Sequence, residues 1–495
     1  MTESSRILKK PSLIDALIPV IALISMLAGT VYVFGLDSFG PNQVALILAA
    51  AIAAAIGIKN GLTWREIEKG MIETISMSLQ ALLILLMVGS LIGSWILSGT
   101  VPTMIYYGVA LMSPDYFYLT ACLVCALLGF SIGSSWTVAG TLGVGLMGIA
   151  VALDLSPGIS AGAIISGAYF GDKLSPLSET TNLAAAVTSN DLFDHIQHML
   201  WTTVPAILIT LTIFFFMGAG SSSNVVISDI VALQTAMDNA FTINPFMLGP
   251  MILLLVMAVK KQPALSTLIC GTVAGCVFAA VFQWHAVIAL ADDTSLSATA
   301  AGFKGLLSAM FLGYNSVSGN ESLDALLSKG GMSSMLTTVG LVINAMAFGG
   351  AMARTGLLAR LVEAALSRVK SAGGLITATV GTCIGTNILA ADQYLSIVLP
   401  GQMFIEPYKE RKLKSINLSR TLEDSGTLTS ALVPWNTCGA YMFATLGVSA
   451  LYYAPFTFFN LLCPIIAIIY GYALIAVPKL EDPLDETAGS AVIAD

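Results

Sequence analysis

Long apolar segments, each about the length of a membrane helix, dominate this sequence and are separated by short polar stretches. The first three cover residues 13–35, 42–58 and 74–97. A helix needs about 20 mostly apolar residues to cross the hydrocarbon core of a bilayer. Only 10% of the residues are charged, whereas soluble proteins average about 25%. The sequence therefore predicts an all-α polytopic protein that is surrounded by the lipid bilayer.

Basic residues after alternate segments predict which ends of the helices face the cytoplasm. Lys59, Arg65 and Lys69 follow the second segment, whereas residues 98–115 hold no Lys or Arg. Because cytoplasmic loops carry the excess of Lys and Arg, we expect the N terminus inside and this connector outside. The chain then divides into a cytoplasmic N-terminal segment 1–12, a first transmembrane repeat 13–220, an external linker 221–244, a second transmembrane repeat 245–477 and a polar cytoplasmic tail 478–495.

Two apolar segments are predicted to be re-entrant hairpins. Residues 116–153 are too few for two full spans and a turn, and their centre is rich in glycine and serine. We expect a hairpin with its tip at Gly133-Ser134-Ser135; a single kinked helix is the alternative. Residues 374–403 have Lys or Arg on both flanks, so they must enter and leave on the cytoplasmic side. The expected tip of this second hairpin is 385–393.

The two halves of the chain align with each other through glycines at offsets of 252 to 257 residues. The connector 98–115 lacks basic residues while 354–373 holds four, so the two repeats are expected to have inverted topology. Inverted repeats with broken helices are typical of alternating-access carriers. The predicted fold has about ten transmembrane helices, two re-entrant hairpins and two broken helices. The aligned pairs are Gly93 with Gly350, Gly99 with Gly356, Gly129 with Gly381, Gly133 with Gly385 and Gly171 with Gly426.

The polar stretch 171–182, GDKLSPLSETTN, lies between apolar segments and predicts a broken helix. Gly171 and Pro176 disfavour continuous helix and free backbone carbonyl groups. Within a bilayer such a break is tolerated only where it lines a polar cavity or is buried in protein. A second break is expected at 424–437, in the other half. An ordinary solvated loop is the alternative reading of the first stretch.

The two breaks and the two hairpin tips together predict an ion and proton site. Carboxylates, hydroxyls and carbonyls are the ligands of small hard cations, and a carboxylate can hold either a proton or a cation. We expect Asp172 to carry the exchange, with Asp392 as its partner and Glu179 in reserve. Lys173 is either a structural counter-charge or the partner of a substrate carboxylate. The expected ion-binding residues are Ser134, Ser135, Thr137, Asp172, Ser175, Glu179, Thr180, Thr181, Asn182, Thr386, Asn387, Asp392, Asp424, Thr427, Asn436 and Thr437.

The segments GDKLSPLSETTNLAAAV and HIQHMLWTTVPA, which begin at Gly171 and His195, resemble the signature region of NhaC-type sodium/proton antiporters. That family belongs to a wider ion-transporter group of secondary carriers. The resemblance implies a carrier of the inner membrane that exchanges Na+ for H+, with Li+ left open as a second cargo. Carriers that exchange organic acids, such as malate for lactate, are an alternative. A channel or a sensor is disfavoured, because neither needs inverted repeats.

Several other functions find no support in the sequence. No phosphate-binding loop, HExxH or GxSxG motif is present, so neither an enzyme nor an ATP-driven pump is expected. No basic and aromatic patch predicts nucleic-acid binding. Cys122 and Cys125 lie on an apolar helix, where they are expected to pack rather than to bind a transition metal. No cofactor is expected, and monomer and homodimer both stay open. His195 and His198 are expected on a solvated helix face, with sensing of cytoplasmic pH as the alternative.

Overall fold

The computed structural model describes residues 9–34, 39–220, 227–293, 295–366, 369 and 371–480. The predictions for 1–8, 221–226 and 481–495, and for the basic residues Arg368 and Lys370, lie outside these residues. The first half contains α1 Leu13–Phe34, α2 Phe39–Lys59, α3 Trp64–Met77, α4 Leu79–Leu97, α5 Thr100–Leu111, α6 Phe117–Ile132, α7 Ser135–Val138, α8 Val144–Ala152, α9 Pro157–Leu174, α10 Glu179–Val187, α11 Leu192–Gly218 and α12 Ile227–Ala240.

The second half continues the helical fold. Among the described residues, extended pairing is limited to two isolated bridges, Tyr314 with Lys329 and Leu413 with Lys479. The helices of this half are α13 Gly249–Val259, α14 Ala264–Phe282, α15 Trp284–Ala291, α16 Ala298–Phe311, α17 Glu321–Leu327, α18 Met332–Arg354, α19 Leu357–Leu366, α20 Ala372–Leu389, α21 Leu395–Glu410, α22 Ser415–Leu422, α23 Leu428–Ser430, α24 Thr437–Leu446, α25 Ala450–Tyr453 and α26 Phe458–Ala473.

The described helices confirm a polytopic membrane protein. Nine of them are long and apolar enough to cross a bilayer, or eleven if each of two bent pairs counts as one span. Large apolar side chains such as Ile21, Phe216 and Val281 are exposed on their outer faces. Such a surface is unfavourable in water and suits contact with lipid.

The first predicted hairpin is confirmed by the parallel packing of α6 and α9. A Cβ on Gly129 of α6 would lie 2.8 Å from the carbonyl oxygen of Ala168 on α9. Near the start of both helices, the backbone N–H of Ser156 donates to the Tyr118 hydroxyl at 3.3 Å. Residues 135–152 must therefore run back between two parallel helices. The chain reverses at Gly133, whose φ of +71° favours glycine.

The second hairpin is also present, but its turn lies later than predicted. The start of α20 and the end of α21 lie side by side, as shown by the hydrogen bond of 3.0 Å that the Arg411 guanidinium donates to the Val369 carbonyl. The turn occupies residues 390–394, where Ala391 has a φ of +56°. Gly385, the expected tip glycine, lies inside α20 and has no neighbour within 4 Å of an added Cβ. The prediction of 385–393 was therefore about five residues early at its start.

Equivalent positions in the two halves lie 257 or 258 residues apart in the structure. Gly99 follows the long helix α4 and Gly356 follows the long helix α18, and both glycines have the left-handed backbone conformation. At the start of the second leg of each hairpin, one side chain accepts a backbone N–H three residues later. Ser134 does so from Thr137 at 3.2 Å, and Asp392 does so from Leu395 at 2.9 Å.

This spacing corrects three of the predicted glycine pairs. The predicted offsets were 252 for Gly129 and Gly133 and 255 for Gly171. These offsets are shorter than 257, so each predicted partner lies two to six residues before the position that is equivalent in the structure. The broken helices show the better register, because Ser178 caps α10 and Asn436 caps α24, 258 residues later. Glycine identity alone was a poor guide, since a glycine inside a helix can serve close packing as well as a turn.

Helices of the two repeats cross in opposite directions, as an inverted arrangement requires. A Cβ on Gly350 of α18 would lie 2.9 Å from the Thr74 hydroxyl of α3. At the other end of α18, the backbone N–H of Gly331 donates to the Gly89 carbonyl of α4 at 2.7 Å. The chain thus ascends through α3 and α4 while it descends through α18. This antiparallel crossing agrees with a pseudo-two-fold axis in the membrane plane.

Basic residues mark one end of the helix bundle, which we call the basic end and define by Lys59 and Arg354. Gly57, two residues before Lys59, packs against the Thr355 side chain that follows Arg354. Lys261, in the turn between α13 and α14, lies toward the same end, because α14 runs parallel to α4. The basic end is the side to which the central cavity opens.

Three stretches differ from the prediction. The connector 98–115 contains the largely buried helix α5. The sequence did not predict this helix, because a lack of basic residues does not distinguish an external loop from an apolar packed helix. Residues 64–77 form α3, which begins with a capping box of Thr63 and Glu66. His195 is fully buried rather than on a solvated face, and its Nδ1 lies 2.9 Å from the Ser419 hydroxyl.

Candidate ion-binding site

A cavity of about 610 Å³ lies between the first break, the two hairpin turns and the starts of α4 and α14. Lys261 and Gln262 lie at its mouth, at the basic end. The end of the second break also reaches the cavity through Thr437. The inverted repeat explains why the two breaks and the two hairpin turns converge on one volume. The cavity brings together eight of the sixteen predicted site residues: Ser134, Ser135, Thr137, Asp172, Glu179, Thr180, Asp392 and Thr437.

Asp172 comes from the last turn of α9, just before the break. Its side chain lines the cavity, but the residue is only 6% exposed. The backbone N–H of Ser135, in the tip of the first hairpin, donates to its Oδ2 at 3.0 Å. This contact holds the carboxylate between the two irregular segments of the first repeat.

Asp392 supplies a carboxylate from the second repeat to the same cavity. It lies in the turn of the second hairpin and is 3% exposed. The backbone N–H of Leu395 donates to its Oδ1 at 2.9 Å, and the Ser78 hydroxyl donates to its Oδ2 at 3.3 Å. Among the described residues, no Lys or Arg pairs with Asp172 or Asp392. Both carboxylates are therefore held by neutral donors and face a polar volume.

Glu179 lies at the start of α10, at the edge of the cavity. Unlike Asp172 and Asp392 it is exposed. Its Oε2 accepts a hydrogen bond of 2.6 Å from the Tyr394 hydroxyl. The bond joins the first break to the second hairpin, so it connects the two repeats near the cavity.

Lys173 is turned away from the cavity. Its ammonium group pairs with Asp424, and neither side chain has any exposed surface. Asp424 also accepts the Thr202 hydroxyl at 2.9 Å, and its Oδ2 lies 4.0 Å from the Arg420 Nε. The partner is thus Asp424, 251 residues away, rather than the neighbouring Asp172. The arrangement is that of a buried counter-charge.

The other predicted site residues hold the irregular segments in place and do not line the cavity. Asn387 donates to the Gly426 carbonyl at 2.8 Å and accepts a 3.0 Å hydrogen bond from Asn436. The remaining contacts are from Asn182 to the Pro176 carbonyl, Thr181 to the Lys173 carbonyl, Thr386 to the Thr382 carbonyl and the Leu177 N–H to Ser175. Thr427 is buried, and among the described residues its hydroxyl has no hydrogen-bond partner of good geometry.

Comparison with known proteins places this arrangement in a family. The model of the Na+/H+ antiporter family matches residues 167–474. This range covers the first break and almost all of the second repeat. The chain belongs to this antiporter family. The resemblance expected from the two signature segments is therefore confirmed.

Relatives with assigned names match most of the chain. The Na(+)/H(+) antiporter NhaC of Alkalihalophilus pseudofirmus is 38% identical, over 88% of this chain and 91% of that one. The Na(+)/H(+) antiporter NhaC of Bacillus subtilis is 36% identical, over 87% and 92% of the two chains. The malate-2H(+)/Na(+)-lactate antiporter of Bacillus subtilis is 35% identical, over 87% and 89%. The family thus includes antiporters with different cargo names.

Several residues of the antiporter's cavity were not predicted from the sequence. Gln80 lines the cavity, and Ser78 donates to the cavity-lining Asp392. Both are polar residues next to the long apolar run of α4, which is a signal that could have found them. Gln393 accepts hydrogen bonds from Ser430 at 3.0 Å and Cys438 at 2.8 Å. Tyr394 could be placed only once the second hairpin turn was known.

Glu423 precedes Asp424 in the sequence, and its contacts within the described residues link it to the cavity. It is fully buried, and its Oε1 accepts a 3.0 Å hydrogen bond from the Thr180 hydroxyl, which lines the cavity. Its Oε2 has no hydrogen-bond partner of good geometry in the part of the chain that the structure describes. A buried carboxylate with a neutral donor therefore lies one hydroxyl group away from the cavity of the antiporter.

Proposed function

We propose that this protein exchanges Na+ for H+ across the inner membrane by alternating access, with Asp172 and Asp392 as the groups that carry the exchange. The observation behind this proposal is that both carboxylates, one from each repeat, line the same cavity. A carboxylate holds a proton more readily when it is desolvated, and a nearby cation displaces that proton. Competition between the two ions at one site couples their movements.

The oxygen atoms around the cavity suit a small hard cation. Ser134, Thr137 and Thr437 offer hydroxyl groups beside the carboxylates. Such oxygens replace the water ligands of Na+, and they accept Li+ for the same reason. We further propose that the basic end faces the cytoplasm, because positive residues gather on that side. The structure is then an inward-facing state with both termini in the cytoplasm.

Exchange of an organic acid such as malate is the competing function. A bound carboxylate needs a cationic partner, and Lys173 and the nearby Arg420 are the candidates within the fold. Both side chains are fully buried around Asp424 and neither lines the cavity. Lys261 is the basic residue among the described cavity-lining groups, and it lies at the mouth. This distribution of charge favours a cationic cargo over an organic anion.

The proposal is tested with the purified protein in liposomes that contain a pH indicator. We expect an inward Na+ gradient to drive H+ outward with no organic anion present, and K+ to have no such effect. Asp172→Asn should abolish this flux, because it removes the titrating charge while it preserves volume. Glu406→Gln is the matched control, since Glu406 is an exposed carboxylate away from the cavity. Flux that requires malate or lactate would contradict the proposal.

A further inference from the structure

An aromatic stack that joins the two repeats forms the closed end of the cavity. The rings of Trp136 and Tyr441 lie 4.1 Å apart at 12° to each other. The Tyr441 hydroxyl donates to the Trp136 carbonyl at 2.7 Å. Trp136 belongs to the first hairpin and Tyr441 to α24, so the stack connects one element of each repeat.

The depth of the stack follows from the residues of α4. Met77 at the end of α3 and then Gln80 and Ile84 on successive turns of α4 line the cavity, counted from the side of the basic end. Val88, the next turn, is fully buried and lies near Gly140, which in turn contacts the Tyr441 hydroxyl. The rings therefore lie beyond the deepest lining residue of α4, on the side away from the mouth.

Beyond the stack the two elements remain in close contact. A Cβ on Gly140 would lie 2.5 Å from the Tyr441 hydroxyl oxygen, and a Cβ on Gly143 would lie 3.1 Å from the Leu446 side chain. Both glycines belong to the π-helical turn Ala139–Gly143. Small residues on this face let the hairpin leg approach α24 without a gap.

From this geometry we propose that Trp136 and Tyr441 are the gate that closes the cavity on the side away from the basic end. The inference rests on the alternating-access part of the proposed function. The gate opens when the second leg of the first hairpin separates from α24. Ions then reach Asp172 from the other side of the membrane.

The inverted repeat identifies the residue with the opposite role. Tyr394 lies 258 residues after Trp136 and occupies the same position after the second hairpin turn. Tyr394 is 39% exposed here and is bound to Glu179. Leu183 occupies the position in α10 that corresponds to Tyr441. In the outward-facing state Tyr394 packs against Leu183 and closes the basic end, as Trp136 now closes the other.

The gate is tested by proton leak in liposomes that hold a pH gradient and no Na+. The wild-type protein should leak little, because it moves H+ only in exchange. Trp136→Ala and Tyr394→Ala should each raise the leak at least about tenfold, which corresponds to about 1.4 kcal/mol, because stacking and apolar contact are lost. Trp136→Phe should stay tightly coupled. Trp201→Ala is the matched control, since Trp201 is 55% exposed on the lipid side.

Tyr441→Phe provides a second variant that keeps the ring and removes only the 2.7 Å hydrogen bond. We expect it to fold and to leak severalfold more than the Trp201→Ala control. Trp136→Ala and Tyr441→Phe proteins that are both folded and as tightly coupled as that control would overturn the gate. A wild-type protein without Na+-dependent exchange would instead contradict the proposed function, so the two failures are distinguishable.

Discussion

Replacement of Lys173 with Met removes the cation from a fully buried ion pair. Lys173 and Asp424 both have 0% side-chain exposure, so no solvent can compensate the charge that remains. Asp424 would retain the Thr202 hydroxyl and an Arg420 Nε at 4.0 Å. Removal of one partner from a buried pair costs about 3–5 kcal/mol. We expect Lys173→Met to lose stability in that range.

The measurement is the free energy of unfolding of the purified protein in detergent, compared with a matched control. Lys304 forms an ion pair with Asp293 at 3.2 Å, and the two side chains are 45% and 32% exposed. Exposed pairs contribute about 0–1 kcal/mol. Lys304→Met should therefore change the stability little. A Lys173→Met protein that is no less stable than Lys304→Met would refute the reasoning.

The double variant Lys173→Met with Asp424→Leu separates a structural role from a transport role. Replacement of both charges by apolar groups of similar size is often neutral or stabilising, so we expect most of the lost stability to return. The double variant should exchange Na+ for H+ like the wild type, because neither side chain lines the cavity. A stable double variant without exchange would show that the pair takes part in transport.

Three further predictions concern topology, packing and pH. A cysteine at the exposed Ser113 should react with an impermeant thiol reagent from outside and one at Ser371 only from inside; labelling of both from one side would contradict the inverted repeat. Gly171→Ala should lower stability by about 1–3 kcal/mol, because its methyl would meet the backbone of α6, whereas Gly381→Ala, with nothing within 4 Å, should not. Hydrogen bonds, chiefly from a backbone N–H of its own loop, lower the pKa of Asp324. That stabilisation should be lost as the pH falls through the lowered value. Protection factors, which correct for the slower intrinsic exchange of amides in acid, should therefore fall in this loop below about pH 4; factors that stay constant would argue against it.

The spans and hairpins could be predicted because they depend on local properties of the sequence. Segment length and the positions of Lys and Arg were enough to find both hairpins. Gly133 marked the first turn correctly because its left-handed conformation requires a residue without a Cβ. The second turn uses Ala391 in a similar conformation, which no residue type signals, and so Gly385 was chosen wrongly.

Contacts between distant parts of the chain could not be predicted. Lys173 lies beside Asp172 in sequence, but successive residues of a helix point in different directions, and its partner is 251 residues away. His195 was assigned to a solvated face because its neighbours are polar, yet α22 covers it through Ser419. The role of the buried Thr427 remains a prediction, as do the ion contacts of all the cavity residues.

Release of protons when Na+ is added to the purified, weakly buffered protein tests the exchange at Asp172 most directly. Binding that displaces a proton from a carboxylate must acidify the solution. We predict acidification in the wild type and in Glu406→Gln, and none in folded Asp172→Asn. Na+ binding to the wild type without proton release, or equal release from Asp172→Asn, would contradict exchange at this residue.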